Sequence, residues 1–188
     1  MNGDELLKLA DDVFWMDREL PEMVFRGSDL SFFVTEGLCP LMEPVSVVIS
    51  EVVRALEPPE RQEVYWVNRE GGSGVLRCAG PSTDGTVAHE TPGSMYPDWR
   101  KVLDAHSGFI YKFVMFSPGK NWGLWVDVNR EMAVLALPAA LDVRLRERVE
   151  QEFEPSVPVF VEDRMRPIWS SHAPWQAFLD RFVDQYAI

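Results

Sequence analysis

Apolar side chains in residues 4–18 recur at helical spacing. On a helical wheel Leu6, Leu7, Leu9, Ala10, Val13, Phe14 and Met16 share one half, and Pro21 ends the segment. Met23–Phe25 and Leu30–Thr35 read as short strands on either side of a Gly27-Ser28-Asp29 turn. Pro44 suits the first turn of a helix reaching Glu57. Its Val47, Val48, Ile49, Val52, Val53 and Leu56 form a broad apolar face, which as β-branched residues would also suit a strand. Pro58-Pro59 stops this segment.

The middle of the chain carries strand patterns. Glu63–Arg69 alternates, residues 71–74 (Gly-Gly-Ser-Gly) form a turn, and Val75–Ala79 returns, which predicts a hairpin over 63–79. Gly80–Gly93 reads as a loop, and Pro97–His106 as a helix with Trp99, Val102 and Leu103 inward. Residues 108–137 hold three apolar runs separated by turns at 117–121 and 129–130, a three-strand meander. Leu141, Leu145, Val149 and Phe153 recur every four residues. A proline-bearing stretch follows at 155–167, and Trp175, Phe178, Leu179, Phe182, Val183 and Tyr186 stripe a last helix. The expected class is α+β: an antiparallel sheet (hairpin 63–79 and meander 108–137) with N-terminal and C-terminal helices packed against it. One domain is expected over 1–188, with a hinge left open near 155–174.

Hydrophobic residues make up 46% of the chain, which argues against disorder. No apolar run is long enough to span a membrane, and the N-terminus lacks the basic start of a secretory signal, so a cytoplasmic location is expected. Cys39 and Cys78 fit no metal or redox spacing and read as inert thiols.

The net charge of −12 is unevenly placed. Residues 1–57 hold 12 acidic and 4 basic side chains (−8), residues 58–137 hold 9 and 8 (−1), and residues 138–188 hold 9 and 6 (−3). Such a balance disfavours nucleic acid and anionic membranes, whose charges call for basic patches. It suits a basic protein partner, which the field would steer.

The usual chemistries find no template. His89, His106 and His172 are scattered, and no cofactor or metal is expected. Residues 71–74 lack the lysine and spacing of a phosphate loop, and no G-x-S-x-G is present. Trp15 is then the aromatic of interest. On the wheel it lies about 180° from Leu6, between Asp11 and Lys8, with Asp12 on the other side. A tryptophan among aspartates suits a partner anchor. Trp122 follows a turn and is expected to be more exposed than Trp125, which makes it a second candidate contact. Period two puts Trp125 and Asp127 on one face of their strand, and Trp122 and Leu124 on the other.

The stretch Asn121-Trp122-Gly123-Leu124-Trp125-Val126-Asp127, followed by Glu131-Met132-Ala133-Val134-Leu135, resembles a tryptophan strand, an Asp-bearing turn and an apolar strand of several small acidic bacterial proteins. Some of these are immunity proteins of toxin systems. The resemblance implies a non-enzymatic cytoplasmic protein that binds and blocks a cognate toxin, and carries over no binding residue. Two other readings stay open: a structural or assembly accessory of a secretion or phage system, and an enzyme of an unrecognised family.

Overall fold

The computed structural model describes residues 2–36, 43–68, 72–77, 100–101 and 111–187. The thiols Cys39 and Cys78, the loop 80–93, His89, His106 and all but two residues of the helix expected at 97–106 lie outside these; Arg100 and Lys101 are helical. Asn2 starts the first helix, α1 (Gly3–Val13), through a reciprocal cap. Its side chain accepts from the Glu5 amide at 2.9 Å, and the Glu5 carboxylate accepts from the Asn2 amide at 2.8 Å. α1 stops five residues short of its predicted end. Phe14 is extended and bridges Phe25, and the Trp15 amide donates to the Val24 carbonyl at 2.7 Å. This pairing with a distant segment outweighs a local pattern that would have carried the helix on. Met23–Phe25 accordingly forms an isolated bridge instead of a strand.

The strands are β1 (Leu30–Glu36), β2 (Glu63–Asn68), β3 (Ser73–Arg77), β4 (Lys112–Phe116), β5 (Gly123–Asp127) and β6 (Met132–Pro138). They form one antiparallel sheet in the order β1-β6-β5-β4-β2-β3. The predicted hairpin and meander are both present within it. The segment from Pro44 is a helix, α2 (Glu43–Leu56), despite its β-branched residues. The last third departs from the pattern in two places. α3 (Val143–Val149) is shorter than the 141–153 pattern, and the proline-bearing stretch is itself helical. There α4 (Val157–Phe160), a π-helical turn (Val161–Met165) and α5 (Arg166–Trp169) run on without a break. Pro158 sits in the first turn of this run, where a missing N–H costs no helical bond, and Pro167 falls where the π-helical turn passes into α5. α6 (Ala173–Tyr186) closes the chain.

Helices cover both faces of the sheet, which is why β6 is apolar at every position from Met132 to Leu137. On one face Val114, Phe116, Trp125 and Val134 pack with Leu6, Ala10 and Val13 of α1 and with Phe160, Met165, Leu179 and Phe182. On the other, Phe113, Leu124, Val126 and Leu135 pack with Val45, Val48, Ile49 and Val52 of α2 and with Leu145 and Val149 of α3. Helices before and after an antiparallel sheet make the α+β class. Among the described residues no helix is long and apolar enough to cross a membrane.

Two glycines set close approaches. A Cβ on Gly123 would lie 2.7 Å from Cζ of Phe14, so the end of α1 rests directly on β5. A Cβ on Gly119 would strike the Glu57 carboxylate, which accepts the Gly119 amide at 3.1 Å.

Candidate functional site

The early stop of α1 rearranges the corner where Trp15 was expected on a helical face. Trp15 lies in the loop after the helix, half-buried. The Arg26 guanidinium carbon lies 3.7 Å from its ring centroid and that of Arg18 lies 4.5 Å away, both within cation–π range. Arg26 also donates to Asp11 at 2.8 Å and to the Phe14 carbonyl at 2.8 Å. Asp12 pairs with Lys120 at 2.5 Å. The structure therefore joins Asp11 to Trp15 through Arg26 and ties Asp12 to the turn that precedes Trp122. The Trp15 ring is thus flanked by two guanidinium groups, one of them paired with Asp11. A cavity of about 140 Å³ beside them is lined by Asp12, Arg26, Lys120 and Asn121, among others.

The expectation for Trp122 is corrected. Its side chain is 1% exposed, because α2 covers the face of β5 toward which it points. Trp125 is buried equally, in the opposite core.

Other acidic groups of residues 1–57 are also engaged. Glu19 accepts from Lys112 at 2.8 Å and lies 3.3 Å from Arg130, which also binds the buried Asp127 carboxylate. The Lys112 hydrogen bond is the main cause that holds Glu19 below its usual pKa, against the opposing effect of burial. Glu51 meets Arg148 at 2.9 Å, and Glu22 lies 3.8 Å from Arg181.

A less compensated acidic region lies elsewhere. A groove of about 390 Å³ opens between the end of β1, the 150–154 turn and the π-helical turn. Val34, Phe153 and Phe160 give it an apolar floor, and Val159 stands 45% exposed within it. Its rim carries Glu36, Glu150, Glu152, Glu154 and Asp163 against Arg164. Glu154 accepts the Ser156 amide at 3.0 Å, and Glu150 is 3.8 Å from Arg146. Glu36, Glu152 and Asp163 make no ion pair with a described residue. Asp163 and Arg164 belong to the π-turn, a rare geometry that recurs at functional sites.

Counting charge by thirds of the chain missed this groove, since its carboxylates come from residues 36, 150–154 and 163. The one local signal is the alternation Glu150-x-Glu152-x-Glu154, which has the period of a strand and lies at the end of a segment whose apolar residues have helical spacing.

The described residues contain no group of three or more His, Cys, Asp or Glu placed to hold a metal ion. Ser117 donates to Glu57 in a short hydrogen bond, but both are buried, and together with the Gly119 amide they hold the turn before β5. Compared with protein-family models, curated proteins and solved structures, the chain finds no match.

Proposed function

We propose that this chain is a non-enzymatic protein-binding module whose partner presents a basic surface. The observation that carries the reading is the groove at the end of β1, where, among the described residues, five carboxylates and one arginine rim an apolar floor. An apolar floor gives a partner side chain something to bury, and a rim with an excess of carboxylates attracts cations and raises the rate of encounter. The extensive pairing of Asp11, Asp12, Glu19 and Glu51 moves the proposed contact from the Trp15 corner to this groove. An immunity-type inhibitor of a basic toxin is the specific form suggested by the likeness of the hairpin 121–135 and by the net charge of −12. Such a protein would act in the cytoplasm.

The test is selection of random twelve-residue peptides displayed on phage against the purified chain. Enriched sequences should carry lysine or arginine flanking an apolar residue. Their binding should weaken with added salt and be lost in the triple variant Glu36→Lys, Glu152→Lys, Asp163→Lys. These groups are partly or fully exposed, and such substitutions typically shift stability by less than about 0.5 kcal/mol. Failure to enrich any basic sequence, or enrichment that the triple variant leaves intact, refutes the proposal.

A further inference from the structure

The groove is bounded on one side by the free edge of the sheet. β6 occupies one edge of β1, and among the described residues the other edge is met at Val34, by Glu154. The Val34 amide donates to Glu154 O at 2.9 Å, and the Glu154 amide donates to Val34 O at 2.7 Å. Successive residues of an antiparallel strand direct their main-chain groups to opposite edges. Phe32, Val34 and Glu36 therefore direct theirs outward, while Ser31, Phe33 and Thr35 serve the ladder with β6. The 2.8 Å bond from the Ala139 amide to Asp29 O extends the same alternation. Phe32 is buried, and Val34 is taken. Glu36 is exposed, and among the described residues its outward amide and carbonyl have no partner.

The register that sets Glu154 opposite Val34 would set Glu152 opposite Glu36. The chain does not continue so far. The amides of Glu152 and Phe153 bond back to Val149 O at 3.1 and 3.0 Å, and that of Glu150 bonds back to Arg146 O at 2.9 Å. Residues 150–153 thus close the end of α3 instead of joining the sheet. The place a seventh strand would fill opposite Glu36 is the groove itself.

We infer that the groove takes a basic partner segment in extended form, with its main chain paired to that of Glu36. This rests on the protein-binding reading above and adds the mode of binding. Main-chain pairing at a sheet edge supplies affinity without regard to sequence, and alternate side chains supply selectivity. Along an extended segment the side chains on the face of Val34 and Glu36 would meet the carboxylates of Glu36 and Asp163 beside Val159. Those on the opposite face would meet Phe153. The fitting partner is a segment that alternates basic and apolar residues, and the rim charge keeps the edge from pairing with acidic strands, including a second copy of this one.

The experiment uses the full chain and a capped eight-residue peptide of alternating lysine and valine. Affinity is measured by fluorescence anisotropy for the parent and for two versions N-methylated at alternate residues, one in each register. Exchange of the Glu36 amide is followed with and without the parent. The inference expects at least one methylated version to bind about tenfold more weakly and Glu36 exchange to slow on binding. Parent and both methylated versions binding equally, with Glu36 exchange unchanged, would overturn the extended pairing while leaving a charge-driven binding module in place. A parent peptide that does not bind overturns it too. If the phage selection also yields nothing, the reading beneath it falls as well.

Discussion

The hydroxyl of Tyr186 accepts the amide of Val24 at 3.0 Å and donates to the carbonyl of Glu22 at 2.7 Å, so the last turn of the last helix clamps the loop that follows the first. The loop cannot satisfy these groups itself, because its backbone is turned between Phe14 and Phe25. Tyr186→Phe keeps the ring packed on Phe32 and Phe182 but leaves the buried amide unpaired. It should cost about 1–2 kcal/mol in urea unfolding. Burial raises the Tyr186 pKa well above its usual value of 10. A raised pKa means that the stabilisation is complete below pH 10 and is lost as the pH climbs toward the folded value. Wild-type stability should therefore fall above pH 10 by more than that of Tyr186→Phe, as thermal melts across that range would show.

Glu19 makes the opposite prediction at low pH. Its lowered pKa gives stability that is present above the ordinary value of 4.5 and is lost as the pH falls through the folded value. The carboxylate is 43% exposed, so screening keeps the contribution below about 1 kcal/mol. Glu19→Gln should reduce stability slightly at pH 7 and flatten its decline between about pH 5 and pH 3. Equal acid slopes in variant and wild type would refute this role.

The strands of the sheet were legible in sequence because their turns are. Ser117-Pro118-Gly119 and Asn129-Arg130 bound apolar runs of strand length, and helices on both faces make those runs nearly continuous. The end of α1 was not legible. Phe14 and Met16 extend the helical stripe, and only the pairing of Phe14 with Phe25 breaks it. That pairing is tertiary and leaves no local mark. The exposure of Trp122 was misread for a similar reason, since a place after a turn says nothing of α2 lying over it. The groove was hidden because the bridge between Val34 and Glu154 gathers carboxylates more than a hundred residues apart in sequence.

Gly123 gives a direct test of how α1 docks. A methyl group there would sit 2.7 Å from Cζ of Phe14 and 3.1 Å from Cγ1 of Val13. The end of the helix must then lift from β5 or Phe14 must leave its rotamer. Gly123→Ala should destabilise by about 1–3 kcal/mol, although alanine suits a strand better than glycine. Restoring stability by a second change, Phe14→Leu, would confirm the contact. A neutral Gly123→Ala would show that the helix end yields freely.

Trp15 and Trp122, alike as exposed candidates in sequence, should separate in the same measurement. Trp122→Ala removes a side chain buried between β5 and α2 and should cost about 3–5 kcal/mol. Trp15→Ala removes a half-buried ring whose main partners are the guanidinium groups of Arg18 and Arg26, each contact being worth about 0.5–1 kcal/mol. Its cost should stay near 1–2 kcal/mol, with Arg26 still held by Asp11 and the Phe14 carbonyl. Peptide binding in the groove should survive Trp15→Ala within twofold, since Trp15 lines neither its floor nor its rim. Binding lost in Trp15→Ala while Glu36→Lys leaves it unchanged would return the contact to the α1 corner, and salt pairing of Asp11 and Asp12 would then be part of that interface.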